Sequence, residues 1–282
     1  MDKEKEIFLI KAIAVGVAAL VLIGIVLAFV RGLQPGGEPS EPDVIQGDIS
    51  RPTEETLPPP PANPYFATDF SYGVDGYLHL TAGKSVVGVD VSEHQVNVDW
   101  QAVKDSGVEF VIIRVGYRGY ETGELYADTE AQIHYEGAKA AGLKIGAYFF
   151  SQALNDEEAA AEAAFTLEQI KDWQIDMPVV FDWEYVSSSA RTANIGKTAL
   201  TSATRVFCEA VKAAGYTPML YFSQAQGDDL LELSELTDYG FWLAMYRNMV
   251  YPYQIDMWQY TSTGTVPGID GEADIDLYFP EG

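Results

Sequence analysis

Beyond residue 86 the chain alternates between amphipathic segments and short runs of apolar residues. In the amphipathic segments apolar side chains recur every three or four positions, as at Leu200, Ala203 and Phe207, which predicts helices with one buried face. The apolar runs are rich in Val, Ile, Phe and Tyr, which predicts short buried strands. The pattern therefore predicts an α/β domain in which helices and strands alternate.

The number of apolar runs indicates the architecture of this domain. Three helical segments end at Gly107, Gly142 and Gly215, as expected of helix C-caps. Strands are predicted at about residues 87–91, 110–113, 145–150, 179–183, 219–222, 241–245, 255–260 and 274–277. These strands predict a (β/α)8, or TIM-like, barrel, modified and shortened because such barrels usually take about 250 residues, so some helices should be missing or reduced. A doubly wound open sheet is the alternative, although no glycine-rich phosphate loop follows any strand.

The N-terminal segment has a different pattern. Residues 12–30 are uninterrupted apolar residues, and with residues 7–10 they are long enough to cross a hydrocarbon core of ~30 Å as a helix. Lys3, Lys5 and Lys11 outnumber Arg31 at the far end, so the N-terminus is predicted to be cytoplasmic and the bulk of the chain extracellular. A cleaved signal peptide is the alternative, but its apolar core is usually ~7–15 residues long. We therefore predict a single-pass protein of the cell membrane.

These patterns divide the chain into five parts. They are a cytoplasmic tail at residues 1–6, a transmembrane anchor at 7–30, a linker at 31–64, an extension of the domain at 65–84 and the barrel domain at 85–282. The linker is rich in Pro and Glu, which favours an extended spacer. The extension carries Tyr, Phe and Leu among Gly and Asp, and we expect a hairpin at the edge of the domain.

Charge and residue usage exclude several classes of partner. The formal net charge of −25 at pH 7 argues against nucleic acid, because binding to phosphates depends on clustered Lys and Arg. The one cysteine, Cys208, lies in a predicted helix and is expected to be a buried apolar side chain. The histidines His79, His94 and His134 lack the spacing of metal ligands, so neither a metal nor another cofactor is expected. We expect the domain to be monomeric.

The strand predicted at residues 179–183 ends in two carboxyl groups. Asp182 and Glu184 alternate with Trp183, so they should point to the same side of the strand, roughly 7 Å apart. Such a pair tends to hold one proton while the other group stays ionised, although a salt-bridged or helix-capping pair would look the same. In a barrel, active sites form at the carboxyl ends of the strands. Other candidate residues fall at such ends: Asp90, Tyr148 and Gln259.

A series of motifs in the barrel region resembles the family 25 glycoside hydrolases, the lysozymes of the N-acetylmuramidase type. The motifs are VDVSEHQ at residues 89–95, GAY at 146–148, DWE at 182–184, WLA at 242–244, WQY at 258–260, and VPG at 266–268 before DID at 274–276. The resemblance covers about residues 86–279. It implies a modified (β/α) barrel that hydrolyses the β-1,4 bond between N-acetylmuramic acid and N-acetylglucosamine in peptidoglycan.

The resemblance also implies roles for individual residues. Glu184 matches the general acid/base, and Asp182, Asp90 and Asp274 match the other carboxylates of the site. The positions that line the sugar groove are matched by Tyr148, Trp258 and Gln259. Two positions depart from the pattern, since Val96 stands where Gly is frequent and Asp276 where Asn is common. Two further aromatic residues, Trp242 and Tyr221, lie in apolar runs and are expected in the core.

The residues leave two mechanisms and other functions open. Asp182 can orient the substrate's 2-acetamido group for attack on the anomeric carbon, which retains the configuration. Alternatively Asp90 or Asp274 activates a water molecule, which inverts it and requires carboxyl groups ~6.5–9.5 Å apart. An inactive wall-binding module and a hydrolase of chitin-like polymers are the competing functions. The presence of all four acids favours an enzyme that acts on peptidoglycan near the producer's own membrane.

Overall fold

The computed structural model describes residues 57–280. The tail and the transmembrane anchor predicted at residues 1–30, and most of the linker, lie outside the described residues. Within residues 57–280, no helix has the length and apolar character needed to cross a membrane.

Short strands and helices follow one another along the described part of the chain. The strands are β1 Phe70–Tyr72, β2 Leu78–Leu80, β3 Val86–Val91, β4 Phe110–Arg118, β5 Leu125–Ala127, β6 Lys144–Ser151, β7 Val179–Trp183, β8 Pro218–Ser223, β9 Gly240–Ala244, β10 Met257–Gly264 and β11 Ala273–Tyr278. The α-helices are α1 Trp100–Asp105, α2 Ala131–Ala140, α3 Asp156–Ile170, α4 Lys197–Ala213 and α5 Gln224–Asp229. Two 3-10 turns cover Ala67–Asp69 and Leu233–Glu235.

Eight of these strands close into a barrel in the order β3, β4, β6, β7, β8, β9, β10 and β11. Neighbours from β3 to β10 are parallel, and the pairing of β3 with β4 completes one side of the closure. The last strand, β11, is antiparallel to both β10 and β3. The predicted barrel is confirmed and the open sheet is excluded, but the strand pattern did not predict the reversal of β11.

The helices around the barrel are reduced, as expected from the length of the domain. Helices α1 and α5 have six residues each, and neither β9 and β10 nor β10 and β11 are joined by a helix. The predicted C-cap glycines Gly107, Gly142 and Gly215 follow α1, α2 and α4 with φ values of 108°, 74° and 89°. These left-handed conformations suit glycine, which confirms that part of the helix prediction.

The inward face of the barrel changes from apolar to polar toward the carboxyl ends of the parallel strands. Inward positions on β3 run from Val86 to Asp90, and those on β10 run from Met257 to Gln259. Apolar side chains fill the lower part of the barrel: Val86, Phe110, Ile112, Tyr148, Met177, Val180, Met219, Trp242 and Met257. The space inside is full, since a Cβ on Gly88 would lie 2.2 Å from the ring of Phe110. The cavity at the carboxyl ends of the parallel strands lies above this layer.

The extension before the barrel packs against its outer surface. Strands β1 and β2 form the predicted hairpin, and Phe70 meets the ring of Trp258 at 5.1 Å between centroids. The end of the predicted linker also contacts the domain, because Ala62 forms a β-bridge with Tyr253 and the Asn63 amide donates to the Pro252 carbonyl at 2.9 Å. The chain is therefore held on the domain from about residue 61 onward.

Candidate active site

A cavity of about 310 Å³ opens at the carboxyl ends of the parallel strands. It lies directly above the apolar filling of the barrel. Polar and aromatic side chains from β3, β4 and β6–β11 line it: Asp90, Ser92, His94, Gln95, Arg114, Tyr148, Phe150, Asp182, Glu184, Tyr221, Trp242, Tyr246, Gln259 and Asp274.

The two carboxyl groups at the end of β7 both face this cavity. Asp182 is the last inward residue of β7 and is 4% exposed, while Glu184 follows directly after the strand. Trp183 between them packs outward against the helices. The predicted alternation is confirmed, and it brings two carboxyl groups to the cavity from one short segment.

The other two acids come from β3 and β11. Asp90 and Asp274 are direct partners in the antiparallel register of these strands. Because β11 runs in the opposite direction, a residue near its beginning lies at the same end of the barrel as a residue near the end of β3. The reversal of β11 therefore completes a group of four carboxyl groups around one cavity.

Burial and mutual repulsion raise the pKa values of all four groups. Burial raises the pKa of Asp274 to about 6. Burial, and then the charge of Asp274, raise the pKa of Glu184. The pKa values of Asp90 and Asp182 lie well above the usual range because both groups are buried among the other carboxylates. The four groups therefore cannot all be ionised near neutral pH, and the cavity retains protons that a reaction can use.

Residues 89–269 match the profile of glycosyl hydrolases family 25. The chain belongs to this family. It is 34% identical over 196 residues to the autolytic lysozyme of Clostridium acetobutylicum, and the match covers 68% of this chain and 55% of that protein. It is 26% identical over 201 residues to lysozyme M1 of Streptomyces globisporus, with 67% of this chain and 66% of that protein covered. The chain thus spans between half and two thirds of these relatives.

Solved structures share the fold of this family 25 domain. The modular autolysin LytC from Streptococcus pneumoniae has a TM-score of 0.63 and 26% identity, over 74% of this chain and 52% of that one. A bacterial lysozyme from Streptomyces coelicolor has a TM-score of 0.58 over 72% of this chain and 94% of that one. At 24% identity, the second comparison supports the fold alone.

Glutamine side chains hold the segment of the family 25 domain that carries Glu184. Gln152 Nε2 donates to the Glu184 carbonyl at 2.8 Å and to the Ser151 carbonyl at 2.9 Å, while its Oε1 accepts from the Thr192 hydroxyl at 2.5 Å. On the other side of β7, Gln226 Nε2 donates to the Trp183 carbonyl at 2.6 Å. These neutral contacts fix the backbone where β7 ends, so the position of Glu184 does not depend on a loop alone.

A second group of hydrogen bonds holds Asp90. Gln259 Nε2 donates to Asp90 Oδ2 at 2.7 Å. The amide oxygen of Gln259 accepts from the hydroxyl groups of Tyr221 and Tyr246, at 2.9 and 2.7 Å. This network joins residues from β3, β8 and β10 with the loop after β9.

Not all the residues predicted to line the sugar groove of the family 25 domain reach the cavity. Tyr148 and Gln259 line the cavity, but Trp258 does not. Its side chain is 3% exposed on the outer face of β10, where it packs on Phe70 and donates to the Met245 carbonyl at 2.9 Å. The prediction that Trp258 lines the groove is wrong. Side chains alternate along β10, so Trp258 points outward while its neighbour Gln259 points inward.

Sequence reasoning assigned two lining residues, Trp242 and Tyr221, to the core. Both do pack in the barrel interior, but they also reach the cavity. It missed Arg114 and Tyr246, which no motif singled out. Arg114 is held by Asp128 at 2.7 Å and lies at the junction with a second hollow of about 480 Å³ beside the cavity. Ile112 points into the barrel, and side chains on one face of a strand recur every two residues. This alternation could have predicted that Arg114 points inward as well.

Within residues 57–280, no three or more His, Cys, Asp or Glu side chains are arranged to hold a metal ion. His94 lines the cavity, and buried His134 contacts the Ser92 carbonyl through Nε2 at 3.1 Å. Cys208 is buried in α4. The acids that face the cavity are Asp90, Asp182, Glu184 and Asp274.

Proposed function

We propose that this family 25 protein is a lysozyme that hydrolyses the β-1,4 bond between N-acetylmuramic acid and N-acetylglucosamine in peptidoglycan. Glu184 is the general acid/base, and Asp182 orients the substrate's 2-acetamido group. The observation that carries the proposal is the pair of carboxyl groups that β7 presents to the cavity. Two relatives named lysozymes and the family membership support the substrate class.

Cleavage of the glycosidic bond requires a proton for the leaving oxygen. Burial raises the pKa of both Glu184 and Asp182, and the negative charge of Glu184 raises that of Asp182 further. Two such groups hold their first proton in common. Glu184 is the less buried of the two and can pass this proton to the substrate, after which the pair carries the negative charge that stabilises an oxocarbenium-like transition state.

Asp182 suits the assisting role because one of its oxygens has no protein donor. Asp182 Oδ1 is buried and accepts no hydrogen bond from the described residues. A buried oxygen without a donor is unfavourable, by about 1–3 kcal/mol. The N–H of a 2-acetamido group would fill this need when substrate binds, and it would turn the amide oxygen toward the anomeric carbon. The anomeric configuration would then be retained.

Digestion of purified peptidoglycan tests the proposal. The full chain in detergent should release fragments with reducing N-acetylmuramic acid ends, detected by mass spectrometry after borohydride reduction. Glu184→Gln should lower the rate at least about 10³-fold, since it removes the acid but keeps the shape. Glu157→Gln, on the exposed face of α3, is the matched control and should cleave normally.

Other outcomes identify the competing functions. Reducing N-acetylglucosamine ends would refute the muramidase proposal and indicate a hydrolase of another bond. Binding of peptidoglycan without any cleavage, equal in the parent and Glu184→Gln, would indicate a wall-binding module. NMR of the first anomer released separates the mechanisms, because an inverted product would exclude assistance by the 2-acetamido group.

We also propose that residues 7–30 anchor the protein in the cell membrane with the N-terminus in the cytoplasm, and that the domain acts outside as a monomer. The support is the apolar stretch and the excess of Lys before it. Protease added to intact spheroplasts should remove the domain but leave an epitope tag placed at residue 1. Release of a shortened chain into the medium would indicate a cleaved signal peptide instead.

A further inference from the structure

Asp276 is a buried carboxyl group that the proposed hydrolysis does not use. It lies on the inward face of β11, is 0% exposed, and is paired in register with Gly88 of β3 and Gln259 of β10. The indole Nε1 of Trp242 donates to Asp276 Oδ1 at 2.9 Å. The other oxygen, Oδ2, is buried and receives no hydrogen bond from any N–H group or hydroxyl of residues 57–280.

The carboxyl group that interacts with Asp276 is that of Asp90, because Asp274 and Asp276 share one face of β11 and pair in register with Asp90 and Gly88 of β3. A hydrogen bond between two carboxyl groups requires a proton on one of them. The surroundings of the two groups decide which one holds it. Asp90 faces the cavity and accepts from Gln259 Nε2 at 2.7 Å, whereas Asp276 is 0% exposed and does not line the cavity. A negative charge costs more in the closed interior than beside a solvent-filled cavity, so the proton is assigned to Asp276.

We propose that Asp276 is a neutral carboxylic acid that donates its proton to Asp90 and so fixes the orientation of the Asp90 carboxyl group at the cavity. Asp276 is then a positioning residue, and it does not touch substrate. This role rests on the proposed hydrolysis, because Asp90 matters only if the cavity binds and cleaves a glycan. An asparagine would supply the same donor and acceptor, whereas an apolar side chain would supply neither.

The charges around Asp276 favour the neutral form. Burial, and then the negative charges of Asp90 and Asp274, hold the pKa of Asp276 well above its usual range. No described cation touches the group, since Arg114 across the barrel pairs with Asp128 and Glu93. The titratable and charged groups that face Asp276 or its partner Asp90 are Asp90 on β3, Arg114 on β4, Tyr148 on β6, Asp182 on β7, Glu184 after β7, Tyr221 on β8, Tyr246 after β9 and Asp274 on β11.

Infrared spectroscopy of the full chain in detergent tests the protonation directly. The difference spectrum of the parent minus Asp276→Asn at pH 7 should contain the C=O stretching band of a neutral carboxylic acid, which neither a carboxylate nor an amide shows. Glu157→Gln, an exposed acid, is the matched control and should lose only carboxylate bands. Absence of the neutral-acid band would overturn the proposal whether or not the protein cleaves peptidoglycan.

Kinetics test the positioning role. Asp276→Asn should keep kcat/KM on peptidoglycan within about threefold of the parent, whereas Asp276→Leu should lower it about 10- to 100-fold, as expected when a buried carboxylate loses one donor. Circular dichroism checks that both variants fold. If Asp276→Leu does not fold, Asp276→Ala replaces it, with the same expected loss relative to Asp276→Asn.

The outcomes separate this inference from the proposed function. Equal losses in Asp276→Asn and Asp276→Leu would overturn the donor role, because the asparagine should rescue it. If the parent itself releases no N-acetylmuramic acid ends, the proposed hydrolysis fails. The infrared band then decides alone whether Asp276 is the donor to Asp90.

Discussion

Replacement of Asp274 by asparagine should stabilise the domain, and by an amount that depends on pH. Burial raises the pKa of Asp274 from its usual value of 3.8 to about 6. A group whose pKa is higher in the folded state binds more protons when folded. Its contribution to stability is fully present below the unfolded pKa and is lost as the pH rises through the folded value. Ionisation of Asp274 therefore lowers the stability progressively from about pH 4 to about pH 7, and the full loss remains above pH 7.

The size of the effect follows from the shift of about two pKa units. Each unit corresponds to about 1.4 kcal/mol, so ionised Asp274 lowers the free energy of unfolding by about 3 kcal/mol above pH 7. Asp274 is partly exposed at the cavity, and solvent screening reduces the expected value to about 2 kcal/mol. Asparagine has the same shape without the charge, so Asp274→Asn should recover this amount at pH 7.5 and little of it at pH 4.

Urea denaturation followed by tryptophan fluorescence measures the difference. The gain of Asp274→Asn over the parent should be about 2 kcal/mol larger at pH 7.5 than at pH 4, with unchanged m-values. Comparing the two pH values removes any pH-independent effect of the new side chain. Glu157→Gln, which replaces an exposed acid, should show no such change. A gain for Asp274→Asn that is equal at both pH values, or a loss at pH 7.5, would refute the reasoning.

Two further predictions concern side chains around the cavity. Gln152→Leu leaves the Glu184 carbonyl and the Thr192 hydroxyl without their partner, so we expect a loss of about 2–5 kcal/mol in unfolding free energy and a fall in kcat larger than any rise in KM. The control Gln226→Leu should destabilise but change kcat less, and the reverse order would contradict the role of Gln152. Trp258→Phe should lower the unfolding free energy by about 1–3 kcal/mol through lost packing and one hydrogen bond, with KM for soluble peptidoglycan fragments changed less than about twofold. A clear rise in KM there would indicate that Trp258 contacts the glycan after all.

Local patterns account for much of the correct prediction. The eight barrel strands, the helix ends at Gly107, Gly142 and Gly215, and the common side of Asp182 and Glu184 all follow from the geometry of the backbone, which repeats every two residues in a strand and every 3.6 in a helix. These properties depend on neighbours in the chain. The residues near each feature therefore suffice to predict it.

The prediction for Trp258 was wrong because both faces of a barrel strand are buried. Trp258 and Gln259 are each less than 4% exposed, one outside the barrel and one inside. Hydrophobicity separates buried from exposed positions, but it does not tell which buried face is the interior. The same ambiguity led to the assignment of Trp242 and Tyr221 to the core, although both also reach the cavity.

The sequence by itself determined the strands, the helices and the acids at the end of β7. Only the tertiary structure decided the direction of β11 and the network around Asp90. The hydrogen bond between Gln259 and Asp90 joins residues 169 positions apart, and Asp274 meets Asp90 only because β11 is reversed. Such contacts depend on how the barrel closes, which is set by the packing of all eight strands and by no single stretch of the chain.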